Sequence, residues 1–74
     1  MCAINYKALF GQRLARLRKQ LGFSQETLAL ESGIARSYLS GVERGQRNIS
    51  LVNICRLAET LKVQPAALLE LGLM

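Results

Sequence analysis

The sequence predicts one all-α domain of five short helices spanning residues 1–74. Apolar residues recur three and four positions apart in one segment after another, which is the spacing of a single face of an α-helix. Polar residues precede these segments and glycines follow several of them, as is usual at helix ends. Half of the residues are hydrophobic, which is enough for a core. A chain this short buries only about 60% of its unfolded surface as a monomer, so association with a second copy would help to stabilise it.

The first helix is predicted from about Tyr6 to Leu21, with Asn5 in position to cap it. Gly22 follows, where a residue in the left-handed conformation is commonly required. Four apolar residues separated by four, three and four positions form a stripe that should face the core. These residues are Phe10, Leu14, Leu17 and Leu21. The other faces carry the basic residues Arg13, Arg16, Arg18 and Lys19.

The next two segments have the pattern of a helix-turn-helix motif. Ser24 is placed to cap a second helix from about Gln25 to Ser32, and Glu26 in its first turn suits the positive end of the helix dipole. Gly33 breaks this helix, and a third follows from about Arg36 to Arg44. Two short helices joined by about three residues that include a glycine match this motif. The apolar residues expected to face inward are Leu28, Ala29, Ile34, Leu39 and Val42.

The third helix has an apolar face and a second face of hydrogen-bond donors, comprising Arg36, Ser37, Ser40 and Arg44. We expect the second face to lie in a DNA major groove. Ala35 occupies the cap position, where replacing Ser or Asp by Ala usually costs about 1 kcal/mol. Gly41 lies inside the helix, at a cost of about 0.5 to 1 kcal/mol relative to Ala. Such local costs often mark functional positions. Close approach to DNA and tight packing against another helix both explain Gly41.

The C-terminal part is predicted to contain two helices and an interaction surface. Gly45 ends the third helix, and Ser50 caps a fourth from about Leu51 to Leu61. Its core face should comprise Leu51, Ile54, Leu57, Ala58 and Leu61, which follow helical spacing. Pro65 suits the first turn of a fifth helix, extending to about Leu71. One short terminal helix cannot hide all of the nearby apolar residues, Leu73 and Met74 included, so residues 50–74 should form a dimer surface. Its predicted members are Leu61, Val63, Pro65, Leu68, Leu69 and Leu71.

The positive charge is confined to the N-terminal two-thirds of the chain. Residues 1–49 hold eight basic and three acidic side chains, a net charge of +5, whereas residues 50–74 hold two of each. A basic region of this kind is expected of a surface that meets a polyanion. One part of the domain is therefore expected to face nucleic acid and the other to face protein.

The composition argues against several other classes of function. The chain has no histidine, no carboxylates paired closely in sequence and no glycine loop for phosphate, so neither an enzyme nor a metal site is expected. No cofactor or small-molecule ligand is expected either. We expect Cys55 to pack in or near the core and Cys2 to lie at an exposed end. No apolar run approaches the roughly 20 residues of a membrane span, which predicts a cytoplasmic protein that does not bind a membrane.

The residues from Ser24 to Leu69, SQETLALESGIARSYLSGVERGQRNISLVNICRLAETLKVQPAALL, closely resemble the lambda-repressor-like, Cro-type helix-turn-helix domains. Within that superfamily, FGQRLARLR and RSYLSGVERGQRNISL are most similar to the controller proteins of restriction-modification systems. The resemblance implies a nucleoid-associated homodimer that binds an inverted-repeat operator on double-stranded DNA. It also implies dose-dependent activation and repression of its own operon and of the endonuclease gene, with RNA polymerase as a further candidate partner.

The resemblance also implies roles for individual residues. Arg36 and Ser37 should reach base edges, with Ser40 one turn further on, and arginine can bond to guanine O6 and N7 at once. Tyr38 should contact the centre of the site, or else pack partly against the second helix. Glu43 should pair with Arg18 as a structural ion pair. The residues expected to hold phosphates are Gln25, Arg44, Gln46, Arg47 and Asn48.

Two alternatives remain compatible with the sequence. One is a pure repressor, either of the phage type or the antitoxin of a toxin pair, which shares much of the same pattern. The other is a protein-interaction or membrane-surface module that uses the basic first helix and the leucine-rich tail. The second alternative leaves the polar face of the third helix unexplained.

Overall fold

The computed structural model describes residues 3–73, and the predictions for Cys2 and Met74 lie outside that range. Over the described residues the fold is all-α, as predicted, without a β-strand. The five helices are α1 (Tyr6–Gln20), α2 (Gln25–Ser32), α3 (Arg36–Glu43), α4 (Leu51–Leu61) and α5 (Pro65–Leu68). None of them is both long and apolar enough to cross a bilayer.

Local chemistry at the helix ends explains most of these bounds. The side chains of Asn5, Ser24 and Ser50 each accept a hydrogen bond from the backbone N–H three residues later, at 3.0 to 3.1 Å. Gly33 ends α2 with φ of +74°, a conformation that glycine adopts without steric cost. Ala35 makes no side-chain cap, as its methyl group requires. The predicted caps are therefore confirmed.

Helix α5 is shorter than predicted, ending at Leu68 rather than at Leu71. A continuing helix would use the carbonyl of Ala67 to accept the N–H of Leu71. Instead, Nε of Arg13 in α1 donates to that carbonyl at 2.8 Å. The last turn closes when the N–H of Leu69 donates to the carbonyl of Ala66 at 3.0 Å, and the Arg13 contact fixes this end of the helix to α1.

Each helix contributes one leucine with no exposed surface to a common core. These are Leu14, Leu28, Leu39, Leu57 and Leu68, and each is 0% exposed. Burying a leucine side chain contributes about 1.5 to 3 kcal/mol, so this cluster dominates the hydrophobic stabilisation of the domain. Helix spacing correctly predicted its members in α1, α2, α3 and α4.

Three residues predicted to be in the core are instead exposed. Leu21 follows the end of α1, where the chain has already turned away. Leu51 is the first residue of α4 and is 70% exposed, because no other element covers that end. Cys55 is exposed because the buried face of α4 runs through Ile54 and Leu57, and Cys55 lies about 100° around the helix from Ile54.

Helix α1 meets the end of α3 at backbone distance. A Cβ atom on Gly11 would collide with the carbonyl oxygens of Val42 and Glu43, the latter at 2.6 Å. A Cβ atom on Gly45 would lie 2.8 Å from Cα of Ala8. Because no side chain separates the two helices there, α1 fixes the position of α3.

Candidate nucleic-acid interface

Helices α2 and α3 form the predicted helix-turn-helix. After Gly33, Ile34 is buried, and its backbone N–H donates to the carbonyl of Ala29 at 3.1 Å. Helix α3 then starts immediately, and Leu39 and Val42 anchor its inner face in the core. This packing fixes the orientation of α3, so its opposite face points outward.

The start of α3 presents the residues expected to read bases. Arg36 and Ser37 are exposed, and Ser40 is half-buried one turn further on. Together with Gln25 from α2 they line one shallow depression. The structure therefore brings these three residues and one predicted phosphate ligand to a single surface.

At the other end of α3, three predicted contact residues bond to one another. The Arg44 guanidinium donates from Nη1 to Oγ of Ser40, and from Nε and Nη2 to Oε1 of Gln46 at 3.4 and 3.3 Å. The hydroxyl hydrogen of Ser40 remains available to an acceptor, since Ser40 accepts in this contact. This intramolecular network holds Arg44 along the helix end.

The loop after α3 is attached to the helix through Tyr38. The phenolic hydroxyl donates to the carbonyl of Asn48 at 2.7 Å, and Cζ of Arg47 lies 5.9 Å from the ring centroid. The Tyr38 ring is half-buried against the core. The ring therefore packs within the domain, and its hydroxyl is hydrogen-bonded to the loop.

A buried ion pair supports α3 from behind. Nε and Nη2 of Arg18 donate to the two carboxylate oxygens of Glu43 at 2.7 and 3.0 Å, with the side chains 9% and 6% exposed. Nη1 of Arg18 donates to the carbonyl of Phe23 at 2.9 Å. The side-chain amide of Gln25 donates to Glu43 at 2.8 Å. The pair expected between Arg18 and Glu43 is present, and Gln25 joins it.

Arg13 has a structural contact that the sequence did not indicate. Besides its bond to Ala67, Nη2 of Arg13 pairs with Glu70 at 3.3 Å and so ties the C-terminal segment to α1. The partners are more than fifty residues apart in the chain, so no local pattern relates them. Arg13 is therefore less available to a polyanion than its place in a basic helix suggested.

The predicted dimer surface needs correction. Leu61 and Leu68 are buried in the protomer's own core, so their side chains have no surface to offer a second copy. Val63, Pro65 and Leu71 are half-buried, and Leu69 is 50% exposed. The most exposed large apolar residues of this region are Leu51 and Val52 at the start of α4, and Cys55 one turn further on is also exposed. Leu51 and Cys55 were predicted to lie in or near the core, so this patch was not predicted.

Comparison with known proteins agrees with this geometry. The family model described as Helix-turn-helix matches residues 14–68. The control protein C.BamHI of Bacillus amyloliquefaciens is 45% identical over 67 residues, covering 89% of this chain and 83% of that protein. The crystal structure of the restriction-modification controller protein C.AhdI from Aeromonas hydrophila has a TM-score of 0.82 at 60% identity, covering 84% and 94%. SinR, the master regulator for biofilm formation, in complex with DNA has a TM-score of 0.78 at 37% identity, covering 82% and 98%.

Proposed function

The chain belongs to this helix-turn-helix family, and from that premise we propose that it binds one operator sequence selectively through the exposed face of α3. It is a DNA-binding transcriptional regulator, close to the restriction-modification controllers. The observation that carries the proposal is the exposed pair Arg36 and Ser37 at the start of a helix whose other face is locked in the core. A rigid helix is what major-groove reading requires.

The proposed division of labour follows the chemistry of the side chains. Arg36 reads guanine through two hydrogen bonds, whereas Ser37 and Ser40 address several bases and discriminate weakly. Contacts to phosphate come from Gln25, Arg44, Gln46, Arg47 and Asn48, which set register and affinity without reading sequence. Tyr38 contributes at the centre of the site.

A homodimer is the proposed binding unit, with a revised surface. Cys55 is four residues from Leu51 and three from Val52, so these three exposed residues lie on one side of α4. An exposed apolar patch of this kind marks an interface between proteins. Helix α4 begins soon after the loop that carries Arg47, so a two-fold axis at this face keeps the two loops near each other. Two recognition helices about 34 to 36 Å apart then read an inverted repeat.

The proposed role is that of a restriction-modification controller. The similarity to the control protein C.BamHI and to C.AhdI supports this assignment. The chain would then regulate its own operon and the endonuclease gene, activating at low dose and repressing at high dose. Activation requires contact with RNA polymerase, which is therefore a proposed partner.

Selection of bound sequences from a random duplex pool tests the proposal. The expected result is an inverted repeat whose half-sites are about 10 to 10.5 base pairs apart, centre to centre. The Arg36→Ala variant selected in parallel should return a weaker consensus at one position in each half-site. A pool that shows no enrichment would overturn sequence-specific binding, and a single asymmetric site would overturn the dimer.

A further inference from the structure

Gly41, in the middle of α3, is covered by the side chain of Arg47. Gly41 is buried, and a Cβ atom added to it would lie 2.7 Å from Cγ of Arg47 and 3.7 Å from Cδ. From there the side chain extends toward Tyr38, one turn earlier in the helix, with Cζ 5.9 Å from the ring centroid. Arg47 therefore lies across α3, on a path that any larger residue at position 41 would obstruct.

The backbone on both sides of Arg47 is bonded to α3. The N–H of Gln46 donates to the carbonyl of Gly41 at 2.9 Å, and the Tyr38 hydroxyl donates to the carbonyl of Asn48 at 2.7 Å. The loop is thus attached before and after Arg47 by the same two residues that its side chain covers. We call Tyr38 and Gly41 the Arg47 seat.

The seated guanidinium has no acidic partner within the described residues. The ion pairs found there are Arg13 with Glu70 and Arg18 with Glu43. Arg47 is exposed, and its cation is held by packing and by the face of an aromatic ring rather than by a carboxylate. An ordered cation without a counter-charge is suited to bind an anion such as a phosphate group.

We propose that Tyr38 and Gly41 are positioning residues that seat Arg47 across the recognition helix, where its guanidinium binds a DNA phosphate. The inference rests on the proposed DNA-binding function and gives a structural reason for the affinity of that binding. Restricting a long side chain before binding lowers the entropy that binding must remove. It also accounts for Gly41, because glycine is a poorer helix former than alanine and is retained here to leave room for Arg47.

The test is a cycle of Gly41→Ala and Arg47→Ala, each alone and combined. Dissociation constants are measured for a selected operator and for a random duplex over a range of salt concentrations. Each single variant should bind both duplexes at least tenfold more weakly, with the salt slope reduced in magnitude by about two, one phosphate contact for each protomer of the dimer. The double variant should bind no more weakly than Arg47→Ala alone. Losses that add in the double variant would overturn the positioning role.

Two further measurements separate the possible failures. Thermal unfolding should show Gly41→Ala as stable as the wild type, since the added methyl group meets a movable side chain and alanine favours the helix. Tyr38→Phe keeps the ring but loses the bond to Asn48, and the loss of affinity it causes should be larger when Arg47 is present than when Arg47 is replaced by alanine. If the wild type bound no duplex, the proposed function would fail. If it bound but Gly41→Ala bound equally well, only the Arg47 seat would fail.

Discussion

On the exposed face of α3, the side chains of Arg36 and Ser37 make no hydrogen bond or ion pair within the described residues. Ser40, Arg44 and Arg47 are each held by contacts within the domain. Arg36 is exposed and pairs with no carboxylate among the described residues. Such a side chain breaks no hydrogen bond within the domain when it binds a base, and gives up only its contacts with water. Sequence preference should therefore depend on Arg36 more than on any other residue.

Arg36→Ala should relax sequence preference more than it lowers general affinity. Each bidentate contact is worth about 1 to 3 kcal/mol of discrimination against the wrong base, and alanine removes it. Titrations of operator and random duplexes should show a large loss for the operator and a small one for random DNA. Arg16→Ala, which removes an exposed arginine of α1, is the matched control and should keep the discrimination. Equal losses on both duplexes with Arg36→Ala would contradict the assignment.

Glu43→Gln should destabilise the domain strongly. The substitution keeps the shape of the side chain but leaves the buried Arg18 guanidinium without its counter-charge, at a cost of about 3 to 5 kcal/mol. Small domains are stable by only about 5 to 15 kcal/mol, so the change should be visible in urea unfolding. Glu31→Gln removes the same charge at an exposed position of α2 and serves as the control. A Glu43→Gln midpoint close to that of the control would argue against the supporting role of the pair.

Among the helices, the contact between α1 and α3 determines how firmly the recognition helix is held. At Gly11 the backbones of the two helices are in contact. The ion pair of Arg18 in α1 with Glu43 in α3 forms a second link between them. Gln25 joins α2 to the same carboxylate. The three N-terminal helices therefore share one support, and a displacement of α1 would also displace α3.

Gly11→Ala should lower stability although alanine is the better helix former. The gain in helix propensity is about 0.5 to 1 kcal/mol, whereas overpacking a tight contact typically costs about 1 to 3 kcal/mol. The added methyl group meets backbone carbonyls of α3, which cannot move without shifting the helix. Gly41→Ala is the internal control, because there the methyl group meets a side chain. Thermal unfolding that ranked the two variants in the opposite order would refute this account of the contact.

Features that depend on neighbouring residues were predictable from the sequence. Asn5, Ser24 and Ser50 cap helices because each short side chain carries an oxygen that reaches the N–H three residues later. The core leucines of α1 to α4 followed from helical periodicity, since interior positions of a helix have one buried face. At helix ends the same rule failed for Leu21 and Leu51, because burial there depends on whether another element covers the end.

Features that depend on tertiary contact were not predictable from local patterns, and the pair of Arg18 with Glu43 was expected only through the family resemblance. Arg13 bonds to α5 from a distant part of the chain, and no local pattern indicates it. The candidate residues of α3 could be named from their spacing and from the family resemblance. The contacts between them could not be predicted, because the bond of Arg44 to Ser40 and the packing of Arg47 on Gly41 depend on the conformations of long side chains.

For the whole molecule, the remaining question is which surface a second copy covers. Leu68 is 0% exposed and Leu61 is 4% exposed, so burial in the protomer's own core removes both from the candidates. The start of α4 retains Leu51 and Val52, which are 70% and 63% exposed. Two basic protomers repel each other, so an apolar contact must supply the attraction that offsets this repulsion.

Val52→Glu should convert the proposed dimer into a monomer without unfolding it. The residue is exposed in the protomer, so the substitution costs little there, but two carboxylates would face each other across a two-fold axis. Sedimentation velocity over a range of protein concentrations should show the monomer, and operator titrations should lose the cooperative binding of two half-sites. Leu30→Glu changes an even more exposed apolar residue, on α2, and should remain dimeric. A dimer that survived Val52→Glu but dissociated with Leu69→Glu would place the interface at the C-terminal segment instead. The reason is that the introduced carboxylates of two protomers repel each other only where they lie in the interface.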